Sequence, residues 1–490
     1  MVNFSIVQCT NLVKMNLITM KLLKRLLVSL LMLPTAVIVL DAQFADAEIY
    51  ATRRAEALRR TGGGVIVIPG TLRTPYGQTD GSSERYFRYL TGWESPGAWM
   101  VLTADDTAGY LLFMTPGGAG RTAWENRVPD ADEARTVYGA DRAYPMAMFR
   151  TRAAEILSHF DTVWTTPSSR IINETISSLF PEDKVPVIMD IRKNLNDMRL
   201  IKEGHEIALL RRAAIVTAEA QRQAMMLAAP GRFEYELEAA IEHTFRSEGC
   251  DGPGFTTIIG SGSNSTILHY DLNSRRLETG DVIVMDIGAK YRGYTADVTR
   301  TIPASGRFTP EQLDIYNIVL EAQKEAIREM MPGKRSLGAH DRATEIIMEG
   351  LNRIGLVTDP ASPWQKRLYI LYTCTHHIGL DVHDTYPYQL TPADEGILSP
   401  GMVITIEPGI YMSPGMLNNL REQYRGKPEE EEIAAYISQI TPLFEKYKNI
   451  GVRIEDDILI TEEGNIVLSE AAPKEPAEIE RLMKKRSRYE

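Results

Sequence analysis

Short apolar runs alternate with helical segments over residues 48–181. The runs 65–68, 98–103 and 110–114 are bounded by turn residues, which predicts three short buried strands. Strands that alternate with helices are typical of an α/β arrangement. We therefore expect a first, smaller α/β domain over 48–181, in which we find no motif for chemistry.

Longer helical patterns follow a connector that we place at 182–200. One predicted helix runs from about residue 200 to residue 229, where a Pro-Gly pair ends it. Another begins at Thr309, where Thr-Pro-Glu-Gln combines a capping box with proline at the first helical position. Strand patterns lie between and after these helices, so we expect an α+β domain over 201–470. Residues 471–490 are predicted to form a charged C-terminal tail.

Residues 1–47 have the pattern of a secretory signal peptide. Basic residues precede an apolar run at 26–40, and small residues in an A-x-A arrangement follow at 45–47. The apolar run is short for a membrane span, which needs about 20 residues, although an uncleaved anchor is the alternative. A start at Met20 would give a more usual signal length. We expect a secreted or periplasmic protein without stable membrane association after cleavage.

Composition narrows the functional classes. The chain has 490 residues, 44% of them hydrophobic and 24% charged, which excludes a disordered chain and a polytopic membrane protein. A net charge of -11 argues against broad nucleic-acid binding, which needs positive charge. The 3 cysteines are too few and too distant for a disulfide framework or a C-x-x-C zinc site.

Two aspartates flank a predicted hairpin. Asp286 lies at the end of an apolar strand, and Asp297 lies on the strand that returns. If the turn centres on Tyr291-Arg292, the two carboxylates face each other about 5 Å apart. Their repulsion would be about 4 kcal/mol at an effective dielectric constant near 20, so one must be protonated or a cation must lie between them. Solvated acids near a turn are the ordinary alternative.

Further polar groups change that balance. The segment 376–383 holds three histidines, an apolar strand at 403–406 ends at Glu407, and a later strand carries Arg453 and Glu455 on one face. Each residue alone is more often structural. A buried carboxylate must be paired or bound to metal, however, and four carboxylates with one imidazole are the ligands expected for two hard divalent ions.

These residues lie in motifs that resemble those of the pita-bread metallopeptidases, specifically aminopeptidase P and prolidase. The resemblance covers roughly residues 48–470 and is weaker in the first domain, where S-S-E-R-Y-F-R-Y-L-T-G-W at 82–93 is similar to the non-catalytic domain of the family. It is strongest in five blocks in the same order: I-I-G-S-G-S-N-S-T-I-L-H-Y (258–270), V-M-D-I-G-A-K-Y-R-G-Y-T-A-D-V-T-R-T (284–301), H-H-I-G-L-D-V-H-D (376–384), I-T-I-E-P-G-I-Y (404–411) and G-V-R-I-E-D-D (451–457). The resemblance implies an α+β pita-bread catalytic domain.

The resemblance also implies the metal ligands. Asp286 would bind one ion, Asp297 and Glu455 would bridge both, and His376 with Glu407 would complete the second. Family members usually work best with manganese, though zinc or cobalt often substitutes, so we expect two divalent ions, most simply Mn²⁺. A hydroxide that bridges the metals would attack the peptide carbonyl.

The remaining roles follow in the same way. Glu407 would accept a proton during the attack, and Arg453 would pair with Asp286. His269 and His383 match histidines that contact the substrate or stabilise the oxyanion. We also expect two tyrosines near the substrate, Tyr372 and Tyr411.

Two departures from the family pattern stand out. Tyr372 occupies a position where the family often has a histidine, which puts the preference beyond proline in doubt, and His377 is not expected to bind metal. The interval between Glu407 and Glu455 is longer than usual. Its residues 412–448 include an acidic run and are interpreted as a solvated insertion.

The function implied is that of an exported Xaa-Pro aminopeptidase, which removes the first residue of a peptide whose second residue is proline. Prolidase, which cleaves only Xaa-Pro dipeptides, shares the ligands and is the near alternative. An alternative of another class is a non-catalytic binding protein with the same fold. The expected partner is a peptide, and we expect a homo-oligomer.

Overall fold

The computed structural model describes residues 46–73, 79–80, 83–104, 109–115, 128–167, 170–181, 184, 186–385, 396–485 and 487–489. The predicted signal peptide therefore lies outside the described residues, apart from its last two. No described helix is long and apolar enough to cross a membrane. The chain divides into two compact units between Met189 and Asp190.

The first unit is built around a six-stranded sheet in the order β6-β5-β4-β1-β7-β8. Strand β1 is antiparallel to β4 and parallel to β7, so the sheet is mixed. The predicted α/β domain and its three buried strands, β1, β4 and β5, are confirmed. In chain order the elements are α1 (Asp46–Thr61), β1 (Val65–Pro69), β2 (Leu72–Arg73), β3 (Thr79–Asp80), α2 (Glu84–Thr91), β4 (Trp99–Thr103), β5 (Tyr110–Met114), α3 (Ala131–Thr136), β6 (Arg142–Pro145), α4 (Phe149–Leu157), β7 (Thr162–Thr165), α5 (Arg170–Ser177) and β8 (Val187–Asp190).

Helices and short antiparallel sheets make up the second unit, as the predicted α+β class requires. The segment 182–200, predicted as a connector, contains β8 and the first helix of this unit. The elements are α6 (Arg192–Leu200), α7 (Gly204–Leu227), α8 (Glu234–Ser247), β9 (Gly252–Pro253), β10 (Ile258–Ser261), β11 (Val282–Ile287), β12 (Ala289–Tyr291), β13 (Tyr294–Thr295), β14 (Val298–Pro303), α9 (Pro310–Glu329), α10 (Ser336–Arg353), α11 (Pro363–Tyr369), β15 (Val403–Ile406), β16 (Gly409–Tyr411), α12 (Met416–Gln423), α13 (Glu430–Tyr447), β17 (Gly451–Arg453), β18 (Asp456–Ile460), β19 (Asn465–Val467) and α14 (Pro476–Leu482).

Local sequence explains where the long helices begin. The Thr309 hydroxyl accepts a hydrogen bond from the Gln312 backbone N–H at 3.2 Å, and the Gln312 side chain accepts one from the Thr309 N–H at 3.0 Å. This reciprocal pair is the predicted capping box at the start of α9, and it satisfies two backbone donors that the helix leaves open.

The sheets that carry the candidate ligands are small. The strand orders are β10-β11-β14, β13-β12-β9, β15-β18-β19 and β16-β17. The register of the third sheet places Ile406 opposite Asp456, so the residues that adjoin this pair, Glu407 and Glu455, emerge side by side. Sheet pairing alone thus brings together two acids that lie far apart along the chain.

The turn between β12 and β13 differs from our prediction. Tyr291 pairs with Tyr294, which centres the turn on Arg292-Gly293 rather than on Tyr291-Arg292. Both central residues have positive φ, 48° and 85°, as in the type I′ turns that match the twist of a hairpin. The change in register places Asp286 opposite Thr299, so the predicted direct pairing of Asp286 with Asp297 is wrong.

Residues 412–448 form part of the core and are not a solvated insertion. Helix α13 buries a stripe of apolar residues at steps of three and four, which packs into the main hydrophobic cluster of the unit: Ile433, Ile437, Ile440 and Phe444. The acidic run that suggested solvation occupies the first turn of α13, where negative side chains interact favourably with the positive end of the helix dipole.

The segment after residue 470 is packed, in contrast to the charged tail that we predicted. Helix α14 buries Ile479 and Leu482 in the main cluster. Arg300, fully buried, donates to the backbone carbonyl of Ala472 at 3.0 Å and forms an ion pair with Asp456 at 2.7 Å. Lys474 also binds Asp456, at 2.7 Å. The end of the chain therefore adjoins the strand that follows Glu455.

Candidate metal centre and active site

Four strands and one loop place acids and a histidine around one cavity in the second unit. Asp286 lies on β11 and Asp297 directly before β14, while Glu407 follows β15 and Glu455 joins β17 to β18. The loop that carries His376 is held against β15, because the His376 carbonyl accepts a hydrogen bond from the Thr405 N–H at 2.8 Å. The cavity has a volume of about 400 Å³, which suits a short peptide.

Nine of the ten residues predicted for the site line this cavity: His269, Asp286, Asp297, Tyr372, His376, His383, Glu407, Arg453 and Glu455. The tenth, Tyr411, does not. Its ring is buried, and its hydroxyl accepts from Arg453 at 2.8 Å and lies 2.9 Å from the Tyr372 hydroxyl. The contact of Tyr411 with substrate stays a prediction, and the structure shows its side chain bonded to two residues that line the cavity.

His376 lies at the centre of the acids. Its Nε2 is 3.6 Å from Asp297 Oδ2, 3.5 Å from Glu407 Oε1 and 3.9 Å from Glu455 Oε1. On the other side of the ring, Nδ1 lies 3.2 Å from the backbone carbonyl of His377, which can only accept a hydrogen bond. A proton on Nδ1 leaves a lone pair on Nε2 facing the acids, as a metal ligand requires.

Three carboxylate oxygens at this centre are buried and accept no hydrogen bond from the described residues: Asp286 Oδ1, Asp297 Oδ1 and Glu455 Oε1. A buried acceptor without a donor is costly, and such groups in native proteins call for an explanation. A bound cation supplies one, because carboxylate oxygens are ligands for hard divalent ions. The residues present thus fit the metal that the sequence implies.

Crowding of the acids perturbs their protonation. Burial, together with the charges of Glu455 and Asp286, raises the pKa of Asp297 well above its usual range. Burial and the charge of Glu455 likewise raise the pKa of Glu407, and burial with Asp286 raises that of Glu455 to about 7. Burial, and then His383, lowers the pKa of His376 to about 4, so the imidazole is neutral at pH 7. The cluster needs positive charge to hold every acid ionised.

One such charge comes from Arg453. Its guanidinium forms an ion pair with Asp286 Oδ2 at 2.5 Å and is itself buried. The same group donates to the Leu268 carbonyl at 3.4 Å, which ties the strand β17 to the loop before His269. Arg453 therefore compensates one of the four acids in the cavity, and the three acids that remain leave a net negative charge that favours a cation.

Tyr372 and His377, the two departures from the family pattern, have different surroundings. Tyr372 lines the cavity and donates its hydroxyl to the Glu407 carbonyl at 2.9 Å. His377 does not line it, and its side chain is buried. Burial, and then the charge of Lys202, lowers the pKa of His377 to about 3, so this imidazole is neutral.

Sequence reasoning missed a set of buried groups behind the ligands. Thr299 donates its hydroxyl to Glu455 Oε2 at 2.7 Å, and the carboxylate of Asp457 accepts from the Asp297 N–H at 3.2 Å. A threonine on an apolar strand and a second acid after Glu455 carry no signal of such a role. Only the pairing of the strands shows that these side chains hold the ligands in place.

Asp384 was also missed. Its carboxylate, with a side chain 1% exposed, forms ion pairs with Arg199 on α6 and with Lys202 at 3.0 Å, and its N–H donates to the His377 carbonyl at 2.8 Å. Burial acts to raise its pKa, but the two cations lower the pKa to about 2. This cluster fixes the loop that carries His376 and His383.

We expect Asp384 to make the second unit sensitive to acid. A carboxyl group with a pKa of about 2 when folded, and about 4 when unfolded, stabilises the fold above pH 4, and that stability is lost as the pH falls through 2. Urea unfolding followed by circular dichroism should show wild-type protein losing about 2 kcal/mol more than Asp384→Asn between pH 4 and pH 2.

The matched control is Asp341→Asn, whose carboxylate is 66% exposed. It should follow the wild-type pH dependence. Parallel curves for Asp384→Asn and wild type would contradict this account of the loop.

The chain resembles known proteins over both units. A model of metallopeptidase family M24 matches residues 208–462, and a model of the aminopeptidase P N-terminal domain matches residues 50–164. Xaa-Pro aminopeptidase of Escherichia coli is 36% identical over 413 residues, which are 81% of this chain and 88% of that protein. The Haemophilus influenzae Xaa-Pro aminopeptidase is 35% identical, over 82% of this chain and 88% of its own length.

Solved structures agree with these matches. Pseudomonas aeruginosa aminopeptidase PepP superposes with a TM-score of 0.78 at 31% identity, covering 89% of this chain and 97% of that one. Aminopeptidase P from E. coli with the inhibitor Pro-Leu gives 0.78 at 32% identity, covering 89% and 98%. With its aminopeptidase P N-terminal domain and its pita-bread unit of buried acids, this chain belongs to metallopeptidase family M24.

Proposed function

We propose that this protein is an Xaa-Pro aminopeptidase that works with two divalent ions. The observation that carries the proposal is the set of three buried carboxylate oxygens that accept no hydrogen bond from the part of the chain that the structure describes. Their residues line one peptide-sized cavity together with the neutral imidazole of His376. The likeness to Xaa-Pro aminopeptidases at 36% and 35% identity supports the choice of substrate.

Five residues would hold the ions: Asp286, Asp297, His376, Glu407 and Glu455. When bound, the ions supply Lewis acidity, which polarises the peptide carbonyl and lowers the pKa of water. A donor set of four carboxylates and one imidazole, without thiolate, suits Mn²⁺. Neither of the two described cysteines lines the cavity. Cys374 lies between two residues that do, but burial raises the pKa of its thiol, which disfavours the thiolate that a metal would bind.

The protein groups then have distinct tasks. Glu407, whose side chain is 16% exposed and faces the cavity, accepts a proton from the attacking water. His269 and His383 face the same cavity from two loops and can donate to the carbonyl oxygen as negative charge develops there. Arg453 holds Asp286 in one orientation through their ion pair.

A non-catalytic role is disfavoured because the whole donor set is present and lines one cavity. Prolidase activity would use the same acids, so only a comparison of substrates separates it from aminopeptidase activity. The homo-oligomer that we expect stays a prediction.

We further propose that the protein is exported, on the basis of the basic, apolar and small-residue pattern over residues 1–47. Amino-terminal sequencing of protein recovered outside the cytoplasm should begin at or near residue 48. An amino terminus at or before Met20 on such protein would favour the uncleaved anchor instead.

Removing a ligand should abolish turnover without unfolding the protein. We expect Asp286→Ala and Glu455→Ala to lower kcat/KM by about a thousandfold or more, because several kcal/mol of charge stabilisation in the transition state is lost. Bound metal, measured by elemental analysis, should fall from about two ions per chain in each variant. Glu462→Ala, at an exposed glutamate, is the control and should change neither quantity.

Full activity of wild-type protein after chelation, with no metal detected, would overturn the metal-dependent mechanism. Circular dichroism of each variant verifies that the fold is retained.

Three peptides test the proposed specificity. Manganese-loaded protein should release the first residue of an Xaa-Pro-Xaa tripeptide at least about a hundredfold faster than that of a proline-free tripeptide, since a pocket shaped for the proline ring contributes a few kcal/mol. Cleavage should be followed by amino-acid analysis. Turnover confined to an Xaa-Pro dipeptide would assign prolidase activity, and equal rates on all peptides would contradict proline specificity.

A further inference from the structure

Glu234, the first residue of α8, is buried at 0% exposure and is not among the residues that line the cavity. We propose that Glu234 is a positioning residue that fixes His269 at the wall of the active site. The kinetic part of this proposal rests on the proposed function, whereas its structural part does not.

The carboxylate of Glu234 accepts five hydrogen bonds, all from one segment, 261–275. Oε1 accepts from the N–H and the hydroxyl of Ser261 at 2.8 and 2.6 Å, and from the Asn264 amide at 3.3 Å. Oε2 accepts from the Tyr270 hydroxyl at 2.9 Å and from the Arg275 N–H at 2.8 Å. A single anion therefore gathers the beginning and the end of the segment that carries His269.

This segment carries no strand of its own. After β10 ends at Ser261, it contains a short 3-10 turn at 262–266 and no strand up to residue 281, apart from one isolated bridge between Phe233 and Arg276. Asn273 and Ser265 bond to neighbouring backbone, and 275–277 bonds to 231–234. The carboxylate of Glu234 adds five bonds, and it reaches both ends of the segment as well as Tyr270, the neighbour of His269.

His269 lies between two anchors. On one side, the Leu268 carbonyl accepts from Arg453, the residue that also pairs with Asp286. On the other side, the Tyr270 hydroxyl donates to Glu234. Because both neighbours are held, the backbone that presents the exposed His269 side chain at the cavity wall is fixed.

Burial makes the arrangement specific to a carboxylate. An ionised, buried glutamate is stable only where donors satisfy it, and its place at the start of α8 adds the favourable end of the helix dipole. A glutamine in its place has one oxygen, and its amide would face either the two donors at Oε2 or the three at Oε1. Replacement of Glu234 by glutamine therefore loosens the loop without changing a residue that lines the cavity.

The decisive variant is Tyr270→Phe, which deletes the one hydroxyl that joins the neighbour of His269 to Glu234. We expect kcat/KM on an Xaa-Pro-Xaa tripeptide to fall about tenfold, the effect of one hydrogen bond in this role. Bound manganese should be unchanged. Tyr436→Phe is the matched control, since its buried hydroxyl bonds to the Leu356 carbonyl and to Tyr369 in the helical layer, and it should retain wild-type kinetics.

A double-mutant cycle separates positioning from general loosening. In a His269→Ala background, Tyr270→Phe should change kcat/KM by less than about twofold, because the group that it positions is already gone. An equal loss in both backgrounds would show that Tyr270 acts independently of His269 and would overturn the proposal. Glu234→Gln should behave in the same way with a larger loss, and Tyr270→Phe keeps the test valid if that variant fails to fold.

Hydrogen exchange of the metal-loaded proteins gives a readout that needs no substrate. Amides over 262–275 should exchange faster in Tyr270→Phe than in wild type or Tyr436→Phe, with 403–411 unchanged. Unaltered exchange over 262–275 would overturn the proposal even if the wild-type protein proved inactive on Xaa-Pro peptides. Inactive wild type with faster exchange in the variant would instead refute the proposed function and leave Glu234 as the anchor of the loop.

Discussion

The repulsion among buried carboxylates is the constraint on which the second unit depends. Asp286, Asp297, Glu407 and Glu455 converge on one cavity, and one arginine compensates only the first of them. Such a group would relax apart if its members were on flexible loops. Short sheets, paired across long stretches of chain, hold the acids at distances that their charges oppose, and the result is a cavity prepared to receive cations.

Support for this arrangement comes in layers. Thr299 and Asp457 hydrogen-bond to the candidate metal ligands Glu455 and Asp297. Asp384 fixes the loop of the two histidines through Arg199 and Lys202, and Glu234 holds the loop of His269. Each of these groups is buried and acts on backbone or on an adjacent side chain rather than in the cavity. Few residues need to face the cavity, because other residues outside the cavity fix the orientation of their side chains.

Local rules predicted much of this. The capping box at Thr309, the buried strands of the first unit and the strand that ends in Glu407 follow from residue type and spacing, and nine site residues were placed by ordered motifs. The turn was misplaced by one residue, although Gly293 is the residue that a type I′ turn favours. The acidic run in the first turn of α13 was interpreted as part of a solvated insertion, because exposed charges at the start of a helix look the same in sequence as charges in a loop.

Long-range pairs were beyond such rules. No periodicity connects Asp384 with Arg199, or Glu234 with Tyr270, because the partners are separated by 185 and 36 positions and are brought together only by the tertiary fold. The motif of Tyr411 likewise predicts a residue near the cavity but not that its hydroxyl bonds to Arg453. Sequence thus predicted which residues gather near one cavity more reliably than the direction of each side chain.

Arg300 links the end of the chain to this centre. It donates to the Glu455 carbonyl as well as to the carbonyl of Ala472, while Lys474 shares its partner Asp456. Two cations thus share the charge of Asp456, the residue next to Glu455. This acid adds no unbalanced negative charge behind the cavity, so the electrostatic demand for a cation comes from the side chains inside the cavity.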